Sequence, residues 1–209
     1  MSEREIRSFL GAVESRAAED GKIQLVGTPI VFNQSTDIGG YFEEIIEPGA
    51  IEEKLLRDVL LLVNHDFDGI PLARSRNNTS NSNLRLRIEE DGVHMEADLD
   101  PENPKAIELN SAVKRGDISG MSFAFVVDGE KWERLDTDYP LRRVTHLSDL
   151  FEVSAVNWPA YSGTNIQSQR SLESGLESMK RAREELECAR VRSERIASLN
   201  SRLEEINHE

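Results

Sequence analysis

The stretch Gly116-Asp117-Ile118-Ser119-Gly120-Met121-Ser122-Phe123-Ala124-Phe125 sets Ser122 among β-forming residues just after a polar turn. Upstream, Val63-Asn64-His65-Asp66 puts an imidazole directly after the apolar run Leu60 to Val63. Downstream, Asp149-Leu150-Phe151-Glu152-Val153-Ser154 puts a carboxylate inside another β-type run. Together these three side-chain types can carry out acyl transfer. A serine hydroxyl is a weak nucleophile near neutral pH until a histidine takes its proton, and a carboxylate on the far ring nitrogen fixes the histidine tautomer. Such a site needs only geometry, so chain order does not restrict it.

Other assignments stay open on residue type alone. Ser122 also reads as a structural serine at a strand edge, and His65 as a core histidine bonded to backbone. Glu152 stands out, because a carboxylate flanked by Leu150, Phe151 and Val153 is costly to bury without a partner. Asp149 and Asp66 are alternative carboxylates, His94 and His146 alternative bases, and Ser119 an alternative nucleophile. His65-Asp66-x-Asp68 offers three metal-ligand types within four residues, but has neither the helical HExxH spacing nor a calcium-loop pattern. No dinucleotide fingerprint occurs, and Gly116-x-x-x-Gly120 lacks the P-loop Lys and Thr. The expected chemistry therefore uses no metal and no cofactor.

The chain has 209 residues, enough for one domain with an appendage. Its formal charge of −14 is unevenly spread: residues 170–209 are nearly neutral, with 8 basic and 9 acidic groups. The rest carries 17 basic against 30 acidic groups. Such a body repels phosphate backbones, which argues against direct nucleic-acid binding. No run approaches the roughly 18 consecutive apolar residues of a membrane span. The N-terminus shows no secretory h-region, so a cytoplasmic location is expected. Cys188, the sole cysteine, cannot form an internal disulfide.

Positioning elements follow from periodicity and punctuation. Glu3 to Val13 leans toward strand, with an amphipathic helix as the alternative, and Asp20-Gly21 marks a turn. Ile23 to Phe32 reads as strand with a bulge at its Gly/Pro, and Asn33 to Gly40 as loop. Tyr41 to Ile46 is a strand, Ile51 to Asp58 a short helix, and Val59 to His65 a strand. Arg74 to Asn83 is an exposed loop, and Leu84 to Ile88 with Val93 to Leu99 is a hairpin turning at Asp91-Gly92. Pro101 and Pro104 start a helix that runs to about Arg115, with Gly116 at its C-terminal cap. Met121 to Val127, Leu141 to Thr145 and Leu150 to Val156 are the last strands. From about Ser168 the texture predicts a long, solvated amphipathic helix, with disorder before binding as the alternative. Its two apolar series, Leu172/Leu176/Met179/Leu186 and Ala189/Ile196/Leu199/Leu203/Ile206, are out of phase, which argues against one continuous heptad seam.

Five segments in order resemble the prohead serine proteases of tailed bacteriophages, which are similar to herpesvirus assemblins. They are Glu47-Pro48-Gly49-Ala50, Asn64-His65-Asp66, Pro71-Leu72-Ala73-Arg74, Gly116 through Phe125, and Glu152-Val153-Ser154 with Pro159-Ala160-Tyr161. The resemblance spans about residues 3–166. It implies His65 as base, Ser122 as nucleophile and Glu152 as the acidic member, with Ala124 standing where many relatives carry glycine. It also implies an α+β fold with a mostly antiparallel, β-barrel-like core, surrounding helices and a long C-terminal helical tail. Residues 1–166 would form the protease domain. Residues 167–209 would be a charged tail for scaffold docking or self-association. The implied activity is a serine endopeptidase that removes the scaffolding portion of the major capsid protein, and cleaves itself, inside an assembling procapsid in the host cytoplasm. No membrane partner is implied. A noncatalytic capsid-assembly or scaffolding protein is the alternative, suggested by the helical tail and acidic body.

Overall fold

The computed structural model describes residues 4–9, 13–17, 23–157 and 166–207. The expected Asp20-Gly21 turn and the Pro159-Ala160-Tyr161 segment lie outside the described residues. Among the described residues are two sheets and two α-helices, in the order β1 (Glu5–Phe9), β2 (Val13–Ala17), β3 (Ile23–Val31), β4 (Thr36–Ile38), β5 (Phe42–Ile46), a 3-10 turn (Glu53–Asp58), β6 (Leu60–Val63) and β7 (Ala73–Arg74). There follow β8 (Leu84–Ile88), β9 (Gly92–Leu99), α1 (Pro104–Arg115), β10 (Gly120–Glu133), β11 (Leu141–Val156) and α2 (Ile166–Asn207).

Local chemistry explains much of this series. Asn103 caps α1 by accepting the Lys105 N–H at 3.0 Å, and Pro104 follows it, where its missing N–H is not needed. Gly116, with φ of 79°, ends the helix in the left-handed conformation that favours glycine. The register of β3 on β9 shifts between Gly27 and Ile30, which is the expected bulge. Asn33 to Gly40 is not all loop, because Thr36–Ile38 pairs with β5. The last strands are also longer than their apolar runs. β10 continues past Val127 to Glu133, and β11 joins two expected strands into one of 16 residues. Their pairing absorbs the break in pattern through four register shifts.

The seven-stranded sheet is built around β11. Along one edge β11 pairs antiparallel with β10, which carries β1 beyond it. Along the other edge it pairs in parallel with two strands in series, β5 at Leu141 to Val144 and β6 at Glu152 to Ala155. The smaller sheet runs β2-β3-β9-β8, all antiparallel. Side chains of both sheets share one apolar core, with Leu25 and Ile30 of β3 and Phe123, Phe125 and Val153 of the large sheet fully buried. The α+β class and the excess of antiparallel pairing match expectation, but the barrel does not. Among the described residues neither sheet closes on itself, because β11 shares its second edge between two short strands and β1 is left as an edge.

Helix α2 covers that edge. The Ile6 N–H donates to Ser171 Oγ at 2.8 Å, and the Trp132 indole N–H donates to Ser178 Oγ at 3.0 Å. The helix face turned to the body carries Ser171, Gly175, Ser178 and Ala182, at spacings of four, three and four. Small side chains permit this close approach, and the apolar series Leu172/Leu176/Met179 lies only half-buried beside them. At 42 residues, α2 is about 63 Å long. From Arg183 to Arg202 its side chains are exposed, including Leu186, Val191, Ile196 and Leu199. No described helix is long and apolar enough to cross a membrane.

Gly175 tests this docking. A Cβ there would stand 2.6 Å from Phe42 Cζ, and the Phe42 ring is held edge-on against Trp132 at 5.1 Å. In an open helix, glycine to alanine stabilises by roughly 1 kcal/mol. Here overpacking of about 1–3 kcal/mol opposes that gain. Gly175→Ala is expected to lower the thermal midpoint and to change Trp132 fluorescence, and a raised midpoint would refute the packing described.

Candidate active site

Strand β6 ends at Val63, and the next two residues turn the chain back. Asn64 (φ 51°) and His65 (φ 58°) both occupy the left-handed region, which asparagine tolerates and histidine adopts less often. Asn64 is fixed on two sides. Its N–H donates to the Ala155 carbonyl at 3.0 Å, and its Oδ1 accepts the Asn157 N–H at 3.1 Å. The turn returns His65 to β11, where its N–H donates to Ser154 Oγ at 3.2 Å.

The imidazole of His65 meets Glu152. Nδ1 lies 2.7 Å from Glu152 Oε1, with the carboxylate fully buried and the His65 side chain 7% exposed. The other carboxylate oxygen, Oε2, accepts the Ser154 hydroxyl at 2.5 Å. Because an ionised carboxylate only accepts, Nδ1 carries the proton and Nε2 is left as the basic nitrogen. A bulge lies next to Glu152. Ala124 pairs with Glu152 but Phe125 pairs with Leu150, so Phe151 is the extra residue.

Ser122 stands one strand away. It pairs with Ser154 on β11 and with Ser8 on β1, and Ser154 pairs in turn with Leu62 of β6. Members of a cross-strand pair face the same side, so Ser122 shares a face with the Ser154 hydroxyl that touches both His65 and Glu152. Met121 and Phe123 on either side of it join the apolar core. Ser122 is itself fully buried. Its hydroxyl donates to the Arg7 carbonyl at 2.8 Å and accepts from Ser8 Oγ at 2.9 Å. The described hydrogen bonds of Ser122 thus run to β1, while those of the His65 ring run to Glu152.

The alternatives fall elsewhere. Ser119 is exposed, ahead of β10. Asp66 is exposed with Lys105 Nζ at 3.7 Å, and Asp149 is exposed and accepts the Ser148 hydroxyl at 2.9 Å. His94, on the β8–β9 hairpin, bonds Asp91 at 2.7 Å and Thr28 of β3 at 3.3 Å. His146 lies between Asp128 and Glu52 on the surface. His65, Asp66 and Asp68 do not converge. Among the described residues, the group whose ligand atoms lie within 4.8 Å of one another is Glu89, Asp91 and His94, with both acids exposed. A groove of about 800 Å³ between α2 and the sheet is lined by Glu5, Glu130, Trp132 and Arg142 among others, and includes none of Ser122, His65 and Glu152.

Two features escape a reading of residue types. Ser154 was present in the Glu-Val-Ser motif, and strand alternation places it on the Glu152 face, yet nothing in the sequence says that its hydroxyl reaches the carboxylate. The second is a buried ion cluster. Arg7 bonds Glu44 at 2.5 Å and Glu5 at 2.6 Å, and Arg142 bonds Glu5 at 2.7 Å, Glu44 at 2.9 Å and Glu130 at 2.6 Å. Burial pushes the Glu44 carboxyl up, but Arg7 and Arg142 outweigh it and hold Glu44 below the usual carboxylate range. Burial likewise pulls Arg142 down, and Glu5 and Glu44 more than compensate.

Comparison with known proteins supplies a family. The profile described as caudovirus prohead serine protease matches residues 11–178. The prohead protease of Enterobacteria phage HK97 is 28% identical over 171 residues, which cover 80% of this chain and 69% of that protein. The solved structure of the bacteriophage T4 capsid assembly protease overlays with a TM-score of 0.45 at 13% identity, covering 75% of this chain and 99% of that one.

The surface histidine offers a pH test. The hydrogen bond to Asp128 and then that to Glu52 hold His146 above the ordinary histidine range. Folding therefore favours its proton, a contribution present below the ordinary range and lost as pH rises through the raised value. NMR titration is expected to place the His146 midpoint above that of an unpaired histidine, and Asp128→Asn to move it back. A midpoint indifferent to Asp128→Asn would show that the pair does not persist in solution.

Proposed function

Because this chain belongs to the caudovirus prohead serine protease family, we propose that it is a serine endopeptidase that removes the scaffolding portion of the major capsid protein, and cuts itself, as a prohead matures inside the procapsid. We read its α+β body as an opened relative of the assemblin fold. The observation that carries the reading is the buried 2.7 Å bond between His65 Nδ1 and Glu152 Oε1, one strand from Ser122.

The reaction follows from that arrangement. The Ser122 proton turns from the Arg7 carbonyl toward His65 Nε2, and Oγ attacks the scissile carbonyl carbon as Nε2 takes the proton. Glu152 holds the ring and stabilises the imidazolium. His65 then gives the proton to the leaving amine, the peptide C–N bond breaks, and an acyl-Ser122 ester remains. A water attacks this ester with His65 again as base, releasing the acid and restoring the hydroxyl. Register favours Ser122 over Ser119 for this role, because Ser122 faces Ser154 directly across the β10–β11 pair.

The exposed half of α2 serves as the docking element for helical scaffold segments of the capsid protein, with Leu186, Val191, Ile196 and Leu199 each about half exposed. Docking raises the effective concentration of the cleavage site near Ser122.

Ser122→Ala and His65→Ala are each expected to reduce cleavage of the capsid-protein precursor by on the order of 10⁶, and Glu152→Gln by less. Incubation of purified chains with the precursor measures this, and cleavage unchanged by Ser122→Ala refutes the reading. Truncation after Glu187 is expected to raise KM for the precursor while leaving kcat on a short peptide unaltered. Equal KM values with and without the segment would remove the docking role.

A further inference from the structure

We infer that Ser154 is a positioning residue for this reaction, a fourth side chain that sets Glu152 and His65 relative to each other; the inference rests on the serine endopeptidase reading above. Ser154 is fully buried on β11, and both hydrogen bonds of its hydroxyl go to the pair. It donates to Glu152 Oε2 at 2.5 Å and accepts the His65 backbone N–H at 3.2 Å.

Each bond removes a different freedom. A glutamate carboxylate sits at the end of three rotatable bonds, and one bond to the imidazole through Oε1 leaves it free to pivot about that contact. The Ser154 hydroxyl on Oε2 stops the pivot, so that Oε1 faces Nδ1 in one orientation. The second bond acts on the backbone. His65 adopts a φ of 58°, and its N–H in that turn is taken by the same Ser154 oxygen. One atom therefore fixes both the base and the group that orients the base. The spacing of two along β11 makes this possible, since residues two apart on a strand share a face.

Ser154 touches neither substrate nor the attacking oxygen in this scheme, and its contribution runs through Glu152 and His65. A serine present only to satisfy buried polar atoms would alter the thermal midpoint when removed. It would leave the chemical step and the environment of the His65 ring as they were.

The test uses the full-length chain carrying Ser122→Ala, which prevents self-digestion. Proton NMR is expected to show the His65 Nδ1 proton far downfield, because it is bonded to a carboxylate, and His65→Gln identifies it by its loss. Adding Ser154→Ala is expected to move the resonance upfield and broaden it by exchange, and Ser154→Thr, which keeps the hydroxyl, to restore it. In the chain with Ser122 intact, Ser154→Ala is expected to lower kcat on a capsid-precursor peptide by about 10- to 100-fold, the size of effect that losing an outer hydrogen-bond partner has at metal-bound histidines. KM should stay within about twofold, since no substrate contact is removed. A downfield resonance unaltered by Ser154→Ala, or a kcat that does not fall, overturns the proposal, as does failure of Ser154→Thr to recover either signal. If Ser122→Ala leaves cleavage intact while the His65 proton still responds to Ser154, the endopeptidase reading fails and the anchoring of the pair stands.

Discussion

Strand β11 takes two charged side chains out of water, Arg142 near its start and Glu152 near its end. An unpaired charge in such a setting is prohibitively unfavourable, so each demands partners brought from elsewhere in the chain. Arg142 draws Glu5 from β1, Glu44 from β5 and Glu130 from β10. Glu152 draws His65 from the turn after β6 and Ser154 from its own strand. The two parallel neighbours of β11 divide this labour, β5 serving the first cluster and β6 the second.

Strand β1 connects the two ends of this arrangement. Glu5 and Arg7 enter the ion cluster, and the Ile6 N–H donates to Ser171 of α2. The Arg7 carbonyl and the Ser8 hydroxyl meanwhile engage Ser122. One short strand therefore links the seat of the long helix to the hydroxyl proposed as nucleophile. In this state the Ser122 proton points to β1, so the proposed attack would begin with its reorientation toward His65.

Elements with strong local signals were legible. The Asp91-Gly92 hairpin and the Pro104 start and Gly116 cap of α1 depend on turn and cap chemistry within a few residues. The lengths of β10 and β11 were not, because their bulges interrupt the period-two pattern while backbone pairing continues through them. The seat of α2 was missed for a related reason. Hydrophobic periodicity looks for large apolar residues, whereas close helix–sheet contact uses the stripe Ser171, Gly175, Ser178 and Ala182. The barrel-like core implied by resemblance gave way to two open sheets, a matter of which edges meet over long sequence separations.

Residue type and local punctuation alone placed a serine, an imidazole and several carboxylates at strand ends, and singled out Glu152 as a carboxylate that would need a partner if buried. They left Asp149 and Asp66 as equals in chemistry. Tertiary structure decided which carboxylate meets His65: parallel pairing of β6 with β11 sets the register, and the left-handed turn at Asn64 and His65 brings the ring to Glu152 while Asp149 and Asp66 face solvent. That choice joins residues 87 apart in the chain. No local propensity encodes a contact of that range, which exists only once the strands are side by side.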